Sequence, residues 1–101
     1  MLRIAVCDDD LKFTGDFETL VLQESRNMGI RVETDVFSDG DTLVKSILSG
    51  ERYNLIFLDI EMKQVDGISA ARCIREIDRS VLLLSLIHIS EPTRQAEISY
   101  A

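Results

Sequence analysis

The chain of 101 residues is predicted to fold as one α/β domain built on a doubly wound parallel sheet. Two continuous apolar runs, Leu55–Leu58 and Val81–Leu84, are typical of strands that are covered on both faces. Stretches with helical spacing of apolar residues alternate with the strand-like stretches along the chain. The connections are long enough for parallel pairing through right-handed crossovers.

A change of hydrophobic spacing near the start of the chain marks the first strand and the first helix. Leu2–Cys7 is a β-rich run that ends abruptly in consecutive aspartates. From Leu11 onward, apolar residues recur every three or four positions, which predicts a helix. Asp9 or Asp10 is expected to cap this helix, and Asn27–Gly29 is expected to end it.

The second strand is predicted at an edge of the sheet, because Ile30–Phe37 alternates apolar and polar residues. Ser38–Gly40 is predicted to be a turn. A short helix then begins at Asp41 or Thr42 and ends near Gly50.

The third strand, Leu55–Asp59, ends in a single carboxylate. Open α/β sheets place their functional sites at the carboxyl edge, where Asp59 would lie. A helix from about Ile68 to Ile77 follows, and Val81 opens the fourth strand.

Charge and composition limit the classes of function. The net charge of −7 argues against nucleic-acid binding by this segment and suits an acidic module that binds a cation or a basic partner. No stretch is long and apolar enough to span a membrane, and the start of the chain does not look like a signal peptide. Cys7 and Cys73 are predicted to be buried small hydrophobic residues in a reducing cytosol, so a cytoplasmic location is expected.

Carboxylates follow two of the predicted strands. Asp8 and Asp9 follow the first strand and Asp59 ends the third, so the three converge if these strands are neighbours. Like charges repel and raise each other's pKa, and a hard divalent cation relieves this repulsion. The cluster therefore predicts a Mg²⁺ site beside a carboxylate that can act as a nucleophile toward a phosphoryl group. Alternatively, these aspartates only cap the first helix and the loop after the third strand.

The segments Ile4–Asp10, Leu55–Met62 and Asp66–Gly67 together resemble the receiver domain of bacterial response regulators. They are most similar to receivers that precede LytTR-type DNA-binding domains. The resemblance covers residues 1–83, which are interpreted as a partial receiver domain. It implies a flavodoxin-like sheet in the order 2-1-3-4, truncated before the fifth strand and the fifth helix of the family.

The resemblance also implies a role in two-component signalling. Asp59 matches the phosphoacceptor, which takes a phosphoryl group from a sensor histidine kinase. Asp8 and Asp9 match the acidic pair that holds Mg²⁺ together with Asp59. Glu61 matches the position whose backbone carbonyl completes the metal shell. The implied whole protein carries a C-terminal DNA-binding output domain that regulates transcription.

The end of the chain departs from the family pattern. The serine or threonine expected at the end of the fourth strand falls near Ile87, and Ser85 is the nearest hydroxyl. No lysine occurs after Lys63, so the lysine of the fifth strand is missing. Residues 84–101 resemble the translation of a sequencing adapter and are predicted to be a non-native tail.

Three expectations concern this tail. Leu84–Ile89 is predicted to extend the fourth strand, because the run is apolar. The residues beyond Pro92 are expected to form a loose helical turn or to fray. The fourth strand would then be an exposed hydrophobic edge, which favours a homodimer or other self-association.

Two further classes of function stay open beside the receiver. One is an enzyme, a Mg²⁺-dependent phosphatase with Asp59 as nucleophile and Glu61 as second acid. The Asp8 and Asp9 pair has no place in that scheme and the chain lacks room for a substrate cap, so a non-enzyme is predicted. The other is a binding module that works without phosphorylation, which the missing lysine favours.

Overall fold

The computed structural model describes residues 1–60, 67–88 and 96–100. Strands and helices alternate along the chain, as predicted, up to the fourth strand. The elements are β1 (Leu2–Cys7), α1 (Leu11–Asn27), β2 (Val32–Phe37), α2 (Gly40–Leu48), β3 (Leu55–Asp59), α3 (Gly67–Ile77), β4 (Leu82–His88) and β5 (Ala96–Tyr100). None of the helices in these ranges is long and apolar enough to cross a membrane.

A single five-stranded sheet has the order β2-β1-β3-β4-β5, and its first four strands are parallel. β1 lies between β2 and β3, so that Val6 pairs with Val36 on one side and with Phe57 on the other. β2 is at the edge, as its alternating pattern predicts. The predicted doubly wound, flavodoxin-like sheet with the order 2-1-3-4 is therefore confirmed.

The fifth strand corrects the expectations for the tail. β5 pairs with β4 in the antiparallel direction, with Leu84 opposite Tyr100 and His88 opposite Ala96. Residues 89–95 between the two strands are fewer than the dozen or so that a parallel crossover needs, so the chain returns as a hairpin. The extension of the fourth strand to His88 is confirmed, but β4 is not an exposed edge, and residues 96–100 neither fray nor form a helical turn. Glu91 and Pro92 lie outside the described residues.

Apolar side chains fill both faces of the central strands. Alternate residues of β1, among them Ala5 and Cys7, face α2 and α3, while Ile4 and Val6 face α1. The layer under α2 and α3 contains the buried residues Leu43, Ile47, Tyr53, Ile56, Leu58, Ala70, Ile74, Val81 and Leu83. Burial on both faces explains why the strand sequences are continuously apolar.

Aspartates cap the first two helices. Asp10 accepts a hydrogen bond from the Phe13 N–H at 3.1 Å, as predicted for α1. Asp39 accepts one from the Thr42 N–H at 2.8 Å, so α2 begins at Gly40, slightly before the predicted start. The difference arises because Asp39, which the sequence places in a turn, is the N-cap of α2.

One of the two cysteines contradicts its prediction. Cys7 is buried in the sheet, whereas Cys73 is exposed on α3. The buried side of α3 is formed by Gly67, Ala70 and Ile74, at spacings of three and four residues. Cys73 directly precedes Ile74 and therefore points away from the sheet.

Candidate functional site

Three carboxylates meet at the carboxyl edge of the sheet. Asp8 and Asp9 follow β1, and Asp59 is the last residue of β3. The two strands are direct neighbours, with Cys7 paired to Leu58, so the residues that follow them lie side by side. One carboxylate oxygen from each aspartate lies within 4.8 Å of those of the other two.

The three aspartates differ in burial and in what holds them. Asp8 is fully buried and Asp59 is only 5% exposed, whereas Asp9 is exposed to solvent. The Asp8 N–H donates to the Phe37 carbonyl at 3.0 Å, and its Oδ1 accepts from the Asp10 N–H at 2.9 Å. The main chain therefore fixes both the position and the orientation of the Asp8 carboxylate.

The spacing of the three carboxylates suits Mg²⁺. Two oxygens in one octahedral Mg²⁺ shell lie at most about 4.2 Å apart, since each bond is about 2.0–2.1 Å long. The oxygens of Asp8, Asp9 and Asp59 lie within 4.8 Å of one another, so at most a small adjustment or one bridging water brings them into a shared shell. Carboxylate oxygens are also the donors that a hard cation prefers. Glu61, whose backbone carbonyl is the fourth predicted ligand, lies outside the described residues.

The negative potential at this edge is visible at Cys7. Burial, and then the negative charges of Asp39, Asp8 and Asp59, raise the pKa of the Cys7 thiol to about 12. The thiol therefore stays protonated at neutral pH and packs as an apolar side chain. It is not a nucleophile of the site.

Gly67, the first residue of α3, lies directly against the main chain of Asp59. A Cβ atom at this position would lie 2.5 Å from the Cα of Ile60 and 3.0 Å from the carbonyl carbon of Asp59, and would overlap the Asp59 carbonyl oxygen. Only a residue without a side chain fits between α3 and the end of β3. Sequence reasoning marks Gly67 only as a tight entrance to the third helix, and the Asp66–Gly67 pair at the predicted helix start is the available signal.

Ser85 does not stand beside Asp59. It is buried and pairs with Leu58, while Asp59 pairs with Leu86. Because side chains alternate along a strand, Ser85 faces the α2 and α3 layer, as Leu83 does, and Asp59 faces the other way. The nearest hydroxyl that the sequence offers is therefore not placed next to the candidate phosphoacceptor.

The chain is similar to solved structures of other proteins. No family model matches the chain, and no curated protein matches it either. Several solved structures match it. The response regulator TrrA of Thermotoga maritima, solved in complex with Mg²⁺-BeF, is 31% identical over 82% of this chain and 66% of that chain, with a TM-score of 0.62.

Two further solved structures are similar. A two-component response regulator from Clostridium difficile has a TM-score of 0.74 and 18% identity, over 91% of this chain and 69% of that chain. A complex of the histidine kinase ThkA with TrrA has a TM-score of 0.62 and 28% identity, over 94% of this chain and 76% of that chain. The chain spans 56% and 68% of two other matched structures.

The structural neighbours are receiver domains of response regulators, and the chain has their flavodoxin-like α/β fold. The finer similarity to LytTR-type receivers and the adapter-like origin of residues 84–101 stay predictions. The division of the chain at residue 83 also stays a prediction.

Proposed function

We propose that this chain is the phosphoacceptor module of a two-component response regulator. In this proposal, Asp59 takes a phosphoryl group from a sensor histidine kinase, with Mg²⁺ held by Asp8, Asp9, Asp59 and the backbone carbonyl of Glu61. The observation that carries it is the convergence of three carboxylates within 4.8 Å at the carboxyl edge of a receiver fold. The Mg²⁺-BeF complex of TrrA and its complex with ThkA support the cation and the kinase as partners.

The proposed reaction is a transfer between two side chains. An oxygen of the Asp59 carboxylate attacks the phosphorus of a phosphohistidine, and the bond between phosphorus and the imidazole nitrogen breaks. The electron pair of that bond stays on the imidazole, and Asp59 becomes an acyl phosphate. Bound Mg²⁺ offsets the negative charge of the carboxylates and of the transferred group. The chain is modified rather than turned over, so in this proposal it is not an enzyme.

Buried groups prepare Asp59 for this role. β3 holds Asp59 at its end, because Ile56, Phe57 and Leu58 are packed on both faces of the sheet. The carboxylate therefore reaches the sheet edge from a rigid support, which lowers the cost of orienting it for attack.

The proposed module acts in the cytoplasm and normally controls a C-terminal DNA-binding output domain. Because the segment itself is acidic, it does not bind nucleic acid in this proposal. Self-association stays part of the proposal, although β5 covers the edge of β4 on which that expectation was based.

A binding module that works without phosphorylation is the second candidate. One observation favours it: no lysine follows Lys63, so the cation that would contact the phosphoryl group from a parallel fifth strand is missing. Such a module keeps the fold and its partner without using Asp59.

The test is incubation of the chain with acetyl phosphate and Mg²⁺, followed by intact-mass measurement. The proposal predicts the mass gain of one phosphoryl group, lost in Asp59→Asn and retained in Asp35→Asn, which removes a carboxylate far from the site. An adduct that persists in Asp59→Asn, or one that forms equally without Mg²⁺, would contradict the phosphoacceptor role. Repeated turnover of a phosphomonoester would instead indicate the phosphatase, and no Mg²⁺-dependent change of any kind would indicate the binding module.

A further inference from the structure

The contact between Gly67 and the end of β3 joins a helix directly to the main chain of the proposed phosphoacceptor. Real Cβ atoms essentially never lie within 3.0 Å of a neighbouring atom, so a Cβ at Gly67 requires a relative shift of at least about half an ångström. The consequence for the site depends on whether α3 or the end of β3 would move.

α3 is anchored along its length. Ala70 and Ile74 are 1% and 0% exposed, within the apolar layer that they share with α2 and the sheet. At the other end of the helix, the Arg75 guanidinium donates to the Val81 carbonyl at 2.6 Å and to the Arg79 carbonyl at 3.0 Å. A retreat of α3 from the sheet would open a cavity in this close-packed layer, which is costly.

The contact can be relieved at the point where β3 ends. Ile60, which follows Asp59, is a half-buried turn residue beyond the strand. Because a retreat of α3 would open a cavity, a Cβ at Gly67 would displace the main chain of Asp59 and Ile60 rather than the helix.

We propose that Gly67 is a positioning residue: by lying against the main chain of Asp59 without a side chain, it sets the distance between the Asp59 carboxylate and those of Asp8 and Asp9. This inference rests on the proposed function, because it concerns the affinity of the site for Mg²⁺. A displacement of half an ångström at Asp59 changes the spacing of the three oxygens, and Mg²⁺ demands near-ideal geometry from its ligands.

The test compares Gly67→Ala with Gly15→Ala. Gly15 lies within α1, and a Cβ there meets nothing within 4 Å, so this control adds the same atom without a clash. Mg²⁺ alone is titrated by calorimetry into wild type and both variants, at a temperature where circular dichroism shows all three folded. The rate of phosphorylation by acetyl phosphate at saturating Mg²⁺ is a second readout.

Gly67→Ala is expected to bind Mg²⁺ on the order of tenfold more weakly and to be phosphorylated more slowly, since misplacement by about 1 Å costs on the order of a hundredfold. Gly15→Ala is expected to keep the wild-type dissociation constant. A folded Gly67→Ala protein with wild-type Mg²⁺ affinity would overturn the inference even if its melting temperature were lowered, because it would show a structural role alone. Wild type that does not bind Mg²⁺ would instead overturn the proposed function.

Gly67→Ala could also lose its fold in buffer. The titration is then repeated for all three proteins in sucrose, which favours the compact state by exclusion from the protein surface. Tenfold weaker binding by the refolded variant supports the positioning role. A variant that stays unfolded in sucrose overturns it, because the strand end would then be unable to yield as the inference requires.

Discussion

The two edges of the sheet both gather carboxylates, but around different centres. At the amino edge, the Arg3 guanidinium lies 3.2 Å from Glu33, 3.3 Å from Asp35 and 3.3 Å from Glu51. It also lies over the ring of Tyr53, 4.7 Å from the ring centroid. At the carboxyl edge, Asp8, Asp9 and Asp59 instead lie within 4.8 Å of one another.

This difference separates a structural use of carboxylates from the functional use that is proposed for Asp8, Asp9 and Asp59. At the amino edge the chain supplies its own cation, and the hydroxyl of Tyr53 donates to Asp35 at 2.8 Å to complete the network. Burial lowers the pKa of Arg3, but the hydrogen bond and charge of Glu51 outweigh it and raise that pKa, so the cation stays charged at every ordinary pH. At the carboxyl edge the aspartates repel one another, which destabilises the fold and favours binding of a cation from solution.

The largest expected effect is on Mg²⁺ binding in Asp8→Asn. Loss of this proposed ligand should weaken Mg²⁺ binding by more than about tenfold, the lower end of what removal of an outer-shell group costs at a metal site. The same change should stabilise the metal-free protein by at least about 1 kcal/mol, because it removes like-charge repulsion at about 5 Å, which has this magnitude even at the dielectric constant of water. Calorimetric titration and urea unfolding measure the two effects.

Asp35→Asn is the matched control at the amino edge. It should leave Mg²⁺ binding unchanged and lower the free energy of unfolding by about 1 kcal/mol, because it weakens the contacts of Asp35 with Arg3 and Tyr53. Stability changes of the same sign in both variants would remove the distinction between the two edges.

The largest expected effect on stability is that of Arg3→Met, which removes the cation of the amino edge. The free energy of unfolding should fall by about 2 kcal/mol, the combined worth of its partly exposed ion pairs and its cation–π contact. Urea unfolding at low and high salt measures it, and the loss should shrink as salt screens the ion pairs.

Lys45→Met is the matched control for Arg3→Met. Lys45 forms an exposed pair with Asp41 at 3.1 Å, one helical turn away, so its removal should cost only about 0.3–0.5 kcal/mol. Equal losses in the two variants would show that Arg3 is an ordinary surface charge rather than the centre of a network.

A smaller effect than that of Arg3 concerns Asp39, a carboxylate near the carboxyl edge that serves the fold. Hydrogen bonds from the Thr42 hydroxyl and N–H hold the pKa of Asp39 below its usual value of 3.8. Because the folded pKa is below the unfolded one, the stabilisation is complete above about pH 4 and is lost as the pH falls through the lowered pKa. Asp39→Ala should therefore be less stable than wild type by up to about 1 kcal/mol at pH 7.

Thermal unfolding from pH 7 down to pH 2 measures this dependence, and the melting temperatures of wild type and Asp39→Ala should become equal at the acid end. A difference in melting temperature that stays constant across this range would show that the charge of Asp39 does not contribute to the cap. Mg²⁺ affinity at pH 7 should change little, which separates Asp39 from Asp8.

The carboxyl edge could be predicted from sequence, and the amino edge could not. A continuous apolar run ending in Asp59, and another ending in Asp8 and Asp9, bring these residues together in any parallel sheet that pairs the two strands. The partners of Arg3 lie in β2 and in the segment before β3, and only the register, with Arg3 opposite Glu33, shows that they meet. Nothing in the local pattern of these polar residues distinguishes them from a solvated surface.

The sequence does not predict the last strand, for a different reason. Residues 96–100 carry no strong strand pattern, so local propensity predicts fraying there. The chain instead adds them to β4, because a neighbouring edge with unpaired N–H and carbonyl groups stabilises a short strand that would be unstable alone. Tertiary context outweighs propensity here.

The pairing of β1 with β3 also determines when the carboxylate cluster can form during folding. Ile4 pairs with Leu55, so α1, β2 and α2 all lie in the loop that this pairing closes, whereas β4 and β5 pair across a short hairpin. Non-local pairing loses loop-closure entropy before any contact forms to offset that loss, so it is the slower event. Asp8 and Asp59 meet only after this step, and a Mg²⁺-dependent signal in a refolding experiment would therefore time the assembly of the central sheet rather than that of the local hairpin.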